Sequence, residues 1–210
     1  NDSPASDKLR LAWTQSLAQR QQTAQLKTLA NPTQDTSIDC LILTAQLTGP
    51  LTHTQLPLVE KARTRILTGQ NLPDECQVLV DLISPAMGDE YATRRFALAL
   101  DAGNEALAAR LITKLPSAQQ TEARTIVSFM QAPDARISRV LRSQDGASSA
   151  DAVSYGLKTL ASDNLPKAIS AAQQLLQTYN FSTIQKNRFA GVIGVKLAGN
   201  RDVAAYEWFK

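Results

Sequence analysis

The stretch DEYATRRFALALDAGNEALAARLITKLP, residues 89 to 116, reads as two amphipathic helices joined by one tight turn. Ala92, Phe96, Ala99 and Leu100 recur at the spacing of one helical face. Gly103 follows directly, where a residue without Cβ can take the left-handed conformation that ends a helix. Asn104 is a good N-cap for the next helix, whose Leu107, Ala108, Leu111, Ile112 and Leu115 fall on one stripe. Two helices with so short a turn between them are expected to lie antiparallel. The repeating element of the fold is therefore a helical hairpin.

The same grammar extends in both directions. Toward the N-terminus it predicts helices over residues 5–19, with Leu9, Trp13 and Leu17 on one face, and 22–30. Residues 37–48 carry Ile38, Leu41, Ile42 and Ala45 in helical spacing, and 56–68 carry Leu58, Val59, Ala62 and Ile66. Residues 73–83 begin on Pro73, Asp74 and Glu75, a helix-start signature, and place Val78, Leu79, Leu82 and Ile83 toward the core. Toward the C-terminus, helices are predicted over 117–130, 134–142, 149–161, 166–179, 183–197 and from 201 onward. FAGVIGVKLAGN, residues 189–200, comes nearest to a strand, but its flanks favour a helix whose two inner glycines admit a closely crossing neighbour.

About a dozen short helices with short turns define an all-α chain, arranged as a bundle or as a solenoid of stacked hairpins. Gly69 and Gly103 lie 34 positions apart, the tetratricopeptide period, but the Trp, Tyr and Pro positions of that repeat are not reproduced. The architecture expected is a degenerate tetratricopeptide-like solenoid, a curved stack of antiparallel hairpins. With 210 residues, it forms one elongated domain or at most two small ones.

Composition excludes several function classes. The 22 Lys and Arg against 19 Asp and Glu leave a net charge of +3, and the basic residues are dispersed, unlike those of a dedicated nucleic-acid binder. No apolar run approaches the roughly 20 residues of a membrane-spanning helix. One histidine and two cysteines build no metal-ligand cluster, and no glycine-rich phosphate loop or nucleophile elbow occurs. No cofactor is implied. His53, in GPLTHTQLP, reads as an exposed loop residue.

Cys40 and Cys76 are the only cysteines, and three readings stand. A thiol in the first turn of a helix is acidified, which would make Cys76 a reactive nucleophile, although no base stands ready for it. Both could be buried free thiols. In an up-down-up arrangement they also lie in the first turns of helices at the same end of the layer, within disulfide reach.

SPASDKLRLAWTQSLAQRQQ (3–22), IDC (38–40), TGQNLPDEC (68–76), RRFALALDAGNEALAARLITKLP (94–116) and KLAGNRDVAAYEWF (196–209) together resemble the superhelical, ring-forming domain of the soluble lytic murein transglycosylases. The resemblance covers nearly the whole chain. It implies a right-handed superhelix and a periplasmic location, whose oxidising chemistry strengthens the disulfide reading for Cys40 and Cys76. It also implies peptidoglycan glycan strands as the partner. Such enzymes cleave the MurNAc to GlcNAc bond and leave a 1,6-anhydro sugar. Their catalytic glutamate, followed by serine, stands in a separate lysozyme-like domain C-terminal to the superhelix. Here Glu60, Glu75, Glu90, Glu105, Glu122 and Glu207 are the glutamates and none precedes a serine, so no catalytic residue is assigned. Residues 1–210 are expected to form one superhelical domain or a fragment of it, inactive alone, with the catalytic domain as a partner elsewhere in a parent chain. A free-standing helical-repeat module that binds another protein is the alternative.

Arg136, Arg139 and Arg142 recur at i, i+3 and i+6, and Arg94 and Arg95 are adjacent. Such residues ordinarily form solvated helix faces. The functional reading is a weakly basic surface for the carboxylates of peptidoglycan. Trp13 and Trp208 are read as core packing in preference to sugar-stacking platforms.

Overall fold

The computed structural model describes residues 4–29, 35–47, 55–143 and 150–209. Among these residues thirteen α-helices and no strand occur, as the hairpin grammar predicts. The chain divides into two compact units, Asn1–Ala102 and Gly103–Lys210, with the division inside the stretch 89–116.

The first unit holds α1 (Pro4–Gln19), α2 (Thr23–Thr28), α3 (Thr36–Leu47), α4 (Leu56–Ile66), α5 (Gln77–Met87) and α6 (Asp89–Asp101). Its hub is α3, which packs against α1, α2, α4 and α5. That central position explains why α3 buries Ile38, Cys40, Ile42, Leu43, Ala45 and Leu47, more than a single stripe. Asp35 caps it, its carboxylate accepting from the Ser37 and Ile38 amides at 2.8 and 3.1 Å. Asp39 is buried on α3 and ion-paired with Arg65 of α4. Gly69 allows the loop after α4 to lie on α6: a Cβ there would fall 2.1 Å from the Leu98 carbonyl oxygen.

Three expectations in this unit are corrected. Pro73 is extended (φ −59°, ψ 155°) and precedes a 3-10 turn, Asp74–Cys76, before α5 begins at Gln77. On α5 the buried residues are Leu79, Val80, Ile83 and Met87, while Val78 and Leu82 face solvent. On α1 only Leu17 of the predicted stripe is buried; Leu9 and Trp13 are exposed, so Trp13 is not a core residue.

The second unit holds α7 (Glu105–Leu111), α8 (Ser117–Gln131), α9 (Pro133–Arg142), α10 (Ala150–Asp163), α11 (Leu165–Thr178), α12 (Thr183–Gly199) and α13 (Ala205–Phe209). Asn104 accepts from the Leu107 amide at 3.1 Å, and Leu107, Ala108, Leu111, Ile112 and Leu115 are all buried, as the sequence predicts. Gly103 takes φ +69°. The hub here is α10, packed against α8, α9, α11 and α12. It approaches α8 closely at Gly156, where a Cβ would sit 3.1 Å from the Phe129 ring. Ser182 and Gln185 form a reciprocal capping box that starts α12. Behind it, the fully buried Phe189 meets Phe181 edge to face with centroids 4.9 Å apart.

The two inner glycines of residues 189–200 differ. Gly194 has the predicted role, since a Cβ there would strike the Phe209 ring of α13 at 2.7 Å. Gly191 does not: nothing lies within 4 Å of a Cβ built on it. The last helix starts at Ala205 and not at 201, because Arg201 (φ +57°) and the residues after it form a turn.

Candidate functional site

The sequence-derived site residues fall into separate groups. Cys40 and Cys76 are joined in a disulfide, with Cα atoms 4.9 Å apart. Both are fully buried. Cys40 sits in the second turn of α3 and not the first, while Cys76 closes the 3-10 turn before α5. The bond ties the hub helix to the 3-10 turn that starts α5, which also packs against α3. The reactive-thiol and free-thiol readings are thereby set aside. His53 lies outside the described residues.

Beside the disulfide, Glu75 accepts a 2.7 Å hydrogen bond from the Gln15 amide of α1. Its carboxyl is held below the ordinary glutamate range, first by a backbone hydrogen bond, then by Gln15 and by Ser37, against the opposing effect of burial. A general acid for glycoside cleavage needs the opposite shift. The native state therefore binds fewer protons here than the unfolded chain, and its stability rises with pH in this window. The contribution is complete above about pH 4.3, the unfolded value, and is lost as pH falls through the depressed folded value. Glu75→Gln should accordingly lower Tm at pH 7 and change it much less at pH 3. Equal losses at both pH values would refute the charge-based account.

The arginines separate sharply. Arg94 is exposed and pairs with Glu90 one turn earlier at 3.0 Å. Glu90 also meets Arg63 at 3.6 Å. Arg95 is a correction: it is buried, with its guanidinium donating to the Tyr91 hydroxyl at 2.8 Å and reaching the Gln70 carbonyl at 3.4 Å. It anchors the 67–73 loop to α6 and is not available to a ligand. Its neighbour in sequence points away because successive helical residues are turned by about 100°. On α9, Ile137 faces inward, Arg139 and Arg142 are exposed, and Arg136 is half-buried. None of the three arginines forms an ion pair among the described residues.

Among the described residues each unit has an open cleft of about 680 Å³. In the first unit the walls come from α4 and the loop after it, including Lys61, Thr64, Arg65, Gln70 and Asn71. Arg65 there is already committed to Asp39. In the second unit α11, α12 and α13 enclose a cleft walled by Trp208, which is half-buried, a departure from the core role expected for it. Sequence reasoning did not find this cleft, although the indole and the neighbouring amides were visible as residue types. No helix among the described residues is long and apolar enough to cross a membrane, and none of their acidic, His or Cys groups clusters as a metal site would.

This geometry defines a class first: an all-α chain of short packed helices with one disulfide. What the chain is similar to, more particularly, is a soluble lytic transglycosylase, as the residues themselves imply. An inactive mutant of the lytic transglycosylase Slt from Pseudomonas aeruginosa matches 98% of this chain at 29% identity and a TM-score of 0.69. The 70-kDa soluble lytic transglycosylase of Escherichia coli matches 96% of it at 19% identity and 0.63. A 70-kDa soluble lytic transglycosylase in complex with bulgecin A matches 98% at 20% identity and 0.63. The chain spans about a third of the length of each: 33%, 33% and 34%. No protein-family model and no curated protein matches it.

Proposed function

We propose that this chain is the non-catalytic helical scaffold of a periplasmic peptidoglycan lytic transglycosylase, shaping the path of glycan strands for a catalytic domain of the same parent chain. The observation that carries the reading is the match to the Pseudomonas enzyme over 98% of this chain at 29% identity. The buried disulfide supports an oxidising compartment, since structural disulfides persist there and are rare in the cytosol.

Arg136, Arg139 and Arg142 of α9 and the exposed Arg94 would attract the carboxylates of peptidoglycan stem peptides. Exposed charges of this kind give individually small, salt-screened attractions. A scaffold that guides a strand needs shape plus weak attraction, because tight binding would hinder movement along the glycan. Incubated with intact murein sacculi, the chain should release no 1,6-anhydro muropeptides. It should bind the sacculi weakly, lose binding as salt rises from about 50 to 200 mM, and bind less still as an Arg136→Ala, Arg139→Ala, Arg142→Ala variant. Turnover above a buffer control would refute the scaffold role. Salt-insensitive retention unchanged by the triple substitution would refute the basic face.

A further inference from the structure

We propose that the cleft between α11, α12 and α13 is a binding subsite for a chain of N-acetylated amino sugars, with Trp208 as its stacking wall. The choice of ligand class rests on the murein reading; the geometry of the cleft does not. A pyranose ring presents an apolar C–H face and a polar edge, and the cleft offers both counterparts. Trp208 supplies a half-exposed aromatic surface. Gln173 of α11 and Asn187 of α12 carry primary amides, each able to donate and accept at once, as the acetamido group of such a sugar requires. Neither side chain has a hydrogen-bond partner among the described residues, and Lys186 beside them has no ion pair. Lys186, exposed to solvent, offers a positive charge to a carboxylate borne on the same chain, in a cleft that the Glu207 carboxylate also lines. The volume of about 680 Å³ lies in the range of small-ligand sites, about 300 to 1,000 Å³.

Gly191 is the independent observation. A glycine inside a helix weakens it relative to alanine, so its presence calls for a backbone or packing reason. At Gly194 packing does require it, because the Phe209 ring occupies the space of a side chain. At Gly191 no positive φ and no neighbour within 4 Å does. What the missing side chain achieves is an open floor in the cleft that Asn187, one turn before, and Trp208 also line.

The chain contains only Trp13 and Trp208, so in a Trp13→Phe background Trp208 is the sole indole. Titrating that protein with an N-acetylglucosamine tetramer should produce a saturable change in its emission, at least about tenfold weaker with the deacetylated tetramer, the loss of roughly one good hydrogen bond. Asn187→Ala should weaken binding about tenfold for the same reason. Gly191→Leu should abolish it while leaving Tm unchanged or raised, because it fills the cleft and improves the helix. No saturable change, equal response to the deacetylated tetramer, or unimpaired binding by Gly191→Leu would each overturn the subsite. Sacculus binding separates the two levels of the argument. Sacculi retained by a protein whose Trp208 ignores the tetramer would sink the subsite alone. A tetramer response without any sacculus binding would keep the subsite and sink the murein scaffold.

Discussion

Reduction of the Cys40–Cys76 disulfide is expected to destabilise the first unit by about 4 kcal/mol, because it releases a closed loop of roughly 37 residues in the unfolded chain. The two cysteines are 36 positions apart and fully buried. They link α3, the hub, to the turn that starts α5, and Leu43, Ile66, Leu79 and Ile83 pack in the same cluster. The helices themselves are held by that apolar packing, so far-UV helicity at 25 °C should survive reduction while Tm falls. The native chain should show no titratable thiol before reductant is added. Two thiols titrating in the unreduced native protein, or a Tm indifferent to reductant, would refute this.

In the second unit the largest single-residue effect is expected at Phe189. Its ring is fully buried and edge-on to Phe181 at 4.9 Å, in the space enclosed beneath α12. Truncation to alanine removes that surface and leaves a cavity, which costs about 3 to 5 kcal/mol for a buried phenylalanine. Ile184 is the internal control, on the same helix but 73% exposed. Ile184→Ala should change stability by no more than about 0.5 kcal/mol. Urea titration of both variants measures the difference, and a loss below about 1 kcal/mol for Phe189→Ala would show that the site collapses around the gap.

Much of the fold was legible because helix starts and stops are written in a few adjacent residues. Asn104 with Gly103 before it acts through its own backbone neighbours, so no distant contact is needed to read it; the Ser182–Gln185 box is equally local, although only the helix after it, and not the box, was read. The stripe of residues 105–115 was legible for a related reason: its apolar positions follow a single period with polar residues between them. Arg95 could have been placed from the same wheel, since it lies one turn after Tyr91 and next to the Ala92, Phe96, Ala99 stripe. Reading Arg94 and Arg95 as a pair by sequence adjacency concealed it.

The sequence by itself determined the all-α class, the approximate positions of the helices, the break at Gly103 and the family resemblance, since each rests on local propensity or on residues in order along the chain. Which face of α5 is buried was decided only by the tertiary structure. On α5, Val78, Leu79, Val80, Leu82 and Ile83 form an almost continuous apolar run, so periodicity cannot choose a face. The disulfide and α3 choose it, by turning Leu79, Val80 and Ile83 into the cluster around Cys40 and leaving Val78 outside. The cleft of Trp208 is decided in the same way. Gln173, Asn187 and Trp208 belong to three helices, and only the packing of those helices brings an indole, two amides and the open floor at Gly191 together.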